Sequence, residues 1–294
     1  EDIGRYMIFY HRKAIIEAGN LLNALKDRPS DLDLLLNFQR YLLKKNRQTE
    51  RKILDYKIKL RELIALKKRG VKSKEEAKLI KKQISLLEGK IEFSRYLLFI
   101  WKCFGDGIAH IYFDKYALKH TFYNVENYFP KEDAGFITNK AGAKKELAIL
   151  RAIFQRKHAA VLCDITNVLR HGDVCLALYS DPFILEVKSS ENRNKRVNRQ
   201  IESIETLHEF YNSDGPLEFH GQKNIIRSTY SKPEINYFKD LDHCIEKSYL
   251  EGIASVSPEQ GIHYVSIKDD VVKDVFWESI VSQSSMVFIL NQTK

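Results

Sequence analysis

Between Asp31 and Lys102 the chain offers a helix only one place to stop, at Gly70-Val71-Lys72-Ser73. Before it, Ile53, Tyr56, Leu60 and Leu63 recur at 3,4,3 spacing; after it, Ala77, Ile80, Ile84, Leu87, Ile91, Ser94 and Leu98 repeat at 3,4 spacing. Such spacing lays an apolar stripe along one helix face. Ser73 with Glu76 three residues on makes a capping box that restarts the helix. Two long helices on either side of a short turn predict an antiparallel coiled-coil hairpin over about 31–102. Gln39, Asn46 and Thr49 lie near its seam and predict weaker packing there. A further helix is expected over 3–27, broken by Asp27-Arg28-Pro29-Ser30, with Ser30 as the next N-cap.

The hairpin also holds the charge. From Arg40 to Lys82 there are 17 Lys and Arg against 5 Asp and Glu, a balance of +12 in a chain whose net charge is +9. The remainder is therefore slightly acidic. Excess of one sign is unusual for a solvated face, where mixed signs support neighbouring pairs. It points to a phosphate-contacting arm, with a solvated surface or a protein-binding arm as the alternatives.

The chemistry is expected at Gly172–Lys188. Val174 to Tyr179 and Phe183 to Val187 are apolar runs rich in strand formers, and Ser180-Asp181-Pro182 supplies the turn. Folding back there sets Asp173 nearly opposite Glu186, and alternation puts Glu186 and Lys188 on one face. Two carboxylates can hold a hard cation such as Mg²⁺ or Mn²⁺. A lysine beside them can orient an attacking water, as metal-assisted phosphodiester hydrolysis requires.

An Asp followed after a short hairpin by Glu-x-Lys resembles the signature of the PD-(D/E)XK nuclease superfamily, over about residues 140 to 230, with Gly172 where the motif has Pro. The resemblance implies a restriction-endonuclease-like core, with Asp173, Glu186 and Lys188 as catalytic residues. It also implies a preceding helix, matched by Lys144 to Gln155, whose Glu146 joins Asp173 and Glu186 as a metal ligand. Asp164 is the substitute for Asp173 should the strand register differ.

The expected core runs αβββαβ: helix 143–156, strand Ala159–Ile165, strands 172–179 and 183–189, helix 195–211, and a fourth strand at Asn224–Tyr230. Arg193, Lys195, Arg196 and Arg199 stand beside the site as phosphate contacts, with Gln200 facing it and His171 a turn residue or substrate contact. Gly105-Asp106-Gly107 reads as a turn within the aromatic stretch Phe99–Tyr128, which is expected to bridge the helical and catalytic parts. Beyond Ser231 an α/β extension (helix Phe238–Glu251 stopped by Gly252, strands His263–Ile267 and Met286–Leu290) is expected to extend the sheet or cover an edge.

The fold class is thus α+β or α/β. Residues 1–130 form a helical domain with the coiled-coil hairpin, and 131–294 form a nuclease-like domain with its extension. Cys103, Cys163, Cys175 and Cys244 lack C-x-x-C spacing and read as free thiols of a reducing compartment. No apolar run is long enough for a membrane span, and the start lacks a signal-peptide layout, so a cytoplasmic location is expected. The expected function is metal-dependent hydrolysis of nucleic acid, most readily DNA, as an effector of restriction or anti-phage defence. The alternatives are a coiled-coil adaptor with a degenerate nuclease core, self-associating or bound to a protein partner, and an RNA-cleaving toxin.

Overall fold

The computed structural model describes residues 3–70, 73–132, 135–138, 140, 142–187, 195–213, 215–228 and 235–268. The architecture is mixed helix and small antiparallel sheets, in two compact units, 1–227 and 228–294.

Helix α1 (Ile3–Asp27) leads into α2 (Leu32–Lys68) and α3 (Lys74–Tyr112), which form the expected long antiparallel pair. The restart follows the capping box, with the Glu76 N–H donating to Ser73 Oγ at 3.1 Å. The N-cap of α2 is Asp31 rather than Ser30: its carboxylate accepts from the Leu34 N–H at 3.0 Å and adds a negative charge at the helix N-terminus. Tyr41 ties α1 to α2 by donating toward Ala14 O and Glu17 Oε2, each at 2.9 Å.

Helix α3 runs straight through Gly105-Asp106-Gly107, where a turn was expected. These glycines serve close approach. A Cβ on Gly105 would lie 2.0 Å from Ile165 O, and one on Gly107 would lie 2.7 Å from the Leu22 side chain. Asp106 accepts from the backbone N–H groups of Asn167 and Val168 at 2.6 and 3.0 Å, fastening that loop to the helix.

After α4 (Lys115–Phe122) and α5 (Ala143–Gln155) comes a three-stranded antiparallel sheet in the order β1 (Ala160–Leu162), β2 (Val174–Leu176), β3 (Phe183–Leu185). The strands are shorter than expected, because a 3-10 turn (Cys163–Ile165) ends the first one early. Both edges of the sheet are covered. On β1, the Gln39 side chain of α2 donates to Ala160 O at 2.8 Å and accepts from Leu162 N at 2.9 Å. On β3, the Ile184 N–H donates to His208 Nε2 at 3.1 Å, from helix α6 (Lys195–Asn212). An uncovered edge would offer unpaired backbone groups to another strand.

Gln39 is thus no weak point of a coiled-coil seam; it pairs with the sheet. Helices α1–α5 and the sheet share one hydrophobic core, with Phe38, Leu42, Trp101, Ile108, Leu150, Val174 and Ile184 all buried. Residue 130 is therefore not a break in packing.

The expected fourth strand does not join β1–β3. Its start lies in β5 (Gln222–Ile225), which pairs with β4 (Leu217–Phe219) in a separate hairpin; Tyr230 lies outside the described residues. Arg227 leaves that hairpin to form an ion pair with Asp181 in the β2–β3 turn.

The second unit contains α7 (Phe238–Glu251), ended by Gly252 at φ +83°, then β6 (Ile253–Glu259) and β7 (Ile262–Ile267). These strands pair with each other, so among the described residues the extension does not lengthen the β1–β3 sheet. Met286–Leu290 lies outside the described residues. No helix among the described residues is long and apolar enough to cross a membrane.

Candidate active site

Strand register gathers the acidic residues at one end of the sheet. Leu162 pairs with Val174, and Val174 with Leu185. The chain just beyond that row carries Asp164 in the 3-10 turn, Asp173 before β2 and Glu186 after β3. The ladder continues past the strands: Cys163 N–H donates to Asp173 O at 3.0 Å and Asp173 N–H to Leu185 O at 2.9 Å. Asp173 therefore faces Glu186 as the hairpin reading requires.

Position 172 requires glycine rather than the Pro of the motif that the sequence resembles. Its φ is +65°, and a Cβ there would lie 2.4 Å from Ile184 Cγ2 and 2.8 Å from Leu185 O. Proline fixes φ near −65° and cannot take this conformation.

Glu146, in the first turn of α5, reaches the same point, with a side chain only 5% exposed. Three carboxylates close on one cation, the ammonium of Lys140. Its Nζ lies 3.0 Å from Glu146 Oε1, 2.8 Å from Asp164 Oδ2 and 2.8 Å from Asp173 Oδ1. The other Asp173 oxygen accepts from Val187 N–H at 2.8 Å. The loop carrying Lys140 is held by buried Glu50 of α2, which accepts from Ile137 N at 3.0 Å and Thr138 N at 2.7 Å.

The electrostatics follow from crowding and burial. Burial alone would lower the Lys140 pKa, but the charges and bonds of Asp164 and Asp173 outweigh it and the net shift is upward. Burial, with repulsion from Asp173 and Asp164, raises Glu146 to about 7 against the pull of Lys140. Burial and then Asp173 also raise Glu186. Among the described residues its Oε2 is buried without a hydrogen-bond partner.

A second lysine stands on the Glu186 side. Lys131 Nζ lies 2.8 Å from His171 Nδ1, and His171 Nε2 lies 2.9 Å from Tyr123 O. Burial lowers Lys131 to about 8, partly offset by Glu186 and Cys163. Burial and then Lys131 lower His171 to about 4. A neutral imidazole donating from Nε2 to the carbonyl and accepting from the ammonium satisfies both contacts. His171 is thus a buried link between Lys131 and the Tyr123 backbone.

Of the residues read from sequence, Glu146, Asp164 and Asp173 are brought together, with Glu186 beside them. Asp164 joins Asp173 rather than replacing it. Lys188 and Arg193 lie outside the described residues, as do the side chains of Lys195 and Arg196, which open α6. Arg199 is exposed on α6, along a depression it shares with Glu126, Glu202 and Glu218. Its neighbours there are acidic, which weakens its attraction for a phosphate. Gln200 is half-buried on the same helix. Lys131 and Lys140 were missed by sequence reasoning, since isolated lysines in a polar loop of a basic chain carry no spacing signal.

The donor set is all carboxylate oxygen, which suits Mg²⁺ or Mn²⁺, and the orphaned Glu186 Oε2 is a buried acceptor in need of a cation or donor. As they stand, the oxygens enclose an ammonium. Among the described residues no three His, Cys, Asp or Glu side chains are spaced to chelate an ion directly. Glu146, Asp164, Asp173 and Glu186 are the residues that would hold such an ion, in place of the Lys140 ammonium that three of them contact. Comparison with protein-family models, with curated proteins and with solved structures found no match.

Proposed function

We propose that this chain is a metal-dependent nuclease of the PD-(D/E)XK type, hydrolysing phosphodiester bonds in nucleic acid, with DNA as the favoured substrate. The observation that supports it is the convergence of Glu146, Asp164 and Asp173 on one point beside Glu186, at the end of a short β-hairpin. In this reading Glu146, Asp164, Asp173 and Glu186 hold Mg²⁺ or Mn²⁺, and the bound ion supplies Lewis-acid polarisation of the phosphate. Asp173 is fixed for that task by the Val187 N–H on its second oxygen. Lys131 sets a positive charge beside Glu186, and Lys188 directs the attacking water. A role in restriction-type or anti-phage defence fits such a nuclease joined to a helical arm, by analogy of architecture alone.

A second reading, an adaptor with a degenerate core, is favoured by Lys140, which neutralises the cluster without a metal. Calorimetric titration with Mn²⁺, beside cleavage assays offering DNA and RNA at equal nucleotide concentration, separates the readings. The nuclease reading expects Mn²⁺ binding that Asp173→Asn abolishes, together with metal-dependent cleavage of DNA. No Mn²⁺ binding and no cleavage by folded protein favours the adaptor; cleavage of RNA alone identifies a ribonuclease.

A further inference from the structure

The basic charge of the hairpin is not spread evenly over convex surface. Arg40, Lys44, Arg47 and Arg51 follow one another at 4,3,4 spacing, so they form a single stripe along α2. Across from them stands Arg151 of α5, and between the helices lies a groove of about 410 Å³ with leucines of both helices in its lining. Among the described residues no Asp or Glu lines it. Arg40, Lys44, Arg51 and Arg151 are exposed and Arg47 is half-buried. Glu50, the acidic residue nearest the stripe along α2, is turned away to hold Ile137 and Thr138. Five cations around a concavity, with no acid, concentrate positive potential there.

The groove and the carboxylate cluster share α5. Glu146 enters the cluster, while Leu147, Leu150 and Arg151 of the same helix line the groove. Thr138, two residues before Lys140, also donates from Oγ1 to Arg47 O at 3.5 Å. We propose that this groove seats the sugar-phosphate backbone of the nucleic-acid strand that runs to the carboxylate cluster. The stripe covers about 16 Å at ~1.5 Å per residue. A stripe of that length can meet several successive phosphates of one strand. Four of the five cations are arginines, whose planar forks suit phosphate oxygens.

The inference rests on the nuclease reading for its ligand class, and its test needs no cleavage. Binding of fluorescein-labelled single-stranded and duplex DNA is followed by anisotropy in EDTA over a range of salt. The proteins are wild type, Arg40→Gln/Lys44→Gln/Arg51→Gln, and the hairpin-tip control Lys67→Gln/Lys68→Gln/Lys74→Gln. Each phosphate contact contributes roughly 0.7–0.9 to the slope of log K against log salt, so the groove variant is expected to lose about 2–3 from it. Its affinity at low salt should fall at least about tenfold. The tip control should keep the wild-type slope.

An unchanged slope in the groove variant, or an equal loss in the tip control, overturns the proposal. So does binding of polyglutamate, but not DNA, through the same residues, which identifies an acidic protein partner. Groove-dependent DNA binding without cleavage in any metal removes the nuclease reading and keeps the groove. Metal-dependent cleavage with an unchanged slope does the reverse.

Discussion

Lys140→Met is the most informative single change, because Lys140 is the cation that holds the acidic cluster together. Its Nζ contacts Glu146, Asp164 and Asp173 within 3.0 Å, and those three side chains are 5%, 9% and 10% exposed. Methionine keeps the length and apolar stem but leaves three buried carboxylates facing one another. Removing one partner of a buried ion pair costs about 3–5 kcal/mol. Lys140 itself is 30% exposed, so water reaches the site and the cost falls to about 2–3 kcal/mol. At ~2–4 °C per kcal/mol for a unit of this size, Tm should drop by about 5–10 °C. Divalent cations should then reverse the loss. An ion at one hundred times its Kd returns ~2.7 kcal/mol. It should do so at lower concentration in the variant, where no ammonium competes for the same oxygens. Differential scanning calorimetry with EDTA, Mg²⁺ and Mn²⁺ reads both effects. A variant as stable as wild type in EDTA, or one that gains no more from Mn²⁺ than wild type does, would refute the reasoning.

Three other perturbations test how the fold supports the site. Gln39→Leu leaves Ala160 O and Leu162 N without their partners; each orphan costs ~1–3 kcal/mol, so urea denaturation should show a loss of about 2–6 kcal/mol. Gly105→Ala drives a Cβ to 2.0 Å from Ile165 O. It should cost ~1–3 kcal/mol by overpacking and, because Ile165 follows Asp164, weaken Mn²⁺ binding measured by calorimetry. His120 and His220 share a contact between Nδ1 and Nε2 at 3.0 Å. Burial lowers His120 to about 4 and also lowers His220 from 6.5. The unfolded chain therefore binds more protons in that window, so stability held at neutral pH is lost as pH falls from about 6.5 toward 4. Tm measured across that range should fall less in His120→Phe, which keeps the ring packing on Phe210 and Phe219.

The elements legible in the sequence are those with a strong local signal. The hairpin of Val174–Leu176 and Phe183–Leu185 forms where two apolar runs flank Asp181-Pro182, and its register alone brings Asp173 opposite Glu186. Ser73 and Gly252 cap their helices because a hydroxyl acceptor and a residue at positive φ are local requirements. What was illegible depends on contacts distant in sequence. Gly105 looks like a turn until the Ile165 carbonyl is placed against it. Gln39 looks like a flaw in a seam until β1, some 120 residues away, presents an unpaired edge. Asn224 carries strand character, yet Gly221 at φ +72° turns that strand back on β4 rather than onto the sheet. Lys131 and Lys140 sit in a polar loop without periodicity. Glu50 of α2 holds Ile137 and Thr138 just before Lys140, while the Lys131 N–H donates to Phe122 O.

Cleavage of supercoiled plasmid in Mg²⁺ or Mn²⁺, comparing wild type with Asp173→Asn and an EDTA control, tests the central claim most directly. Wild type with metal should yield nicked and linear DNA, and Asp173→Asn or EDTA should leave the plasmid intact. Cleavage that persists undiminished in a folded Asp173→Asn protein would contradict it, because the chemistry would then lie away from the carboxylate cluster.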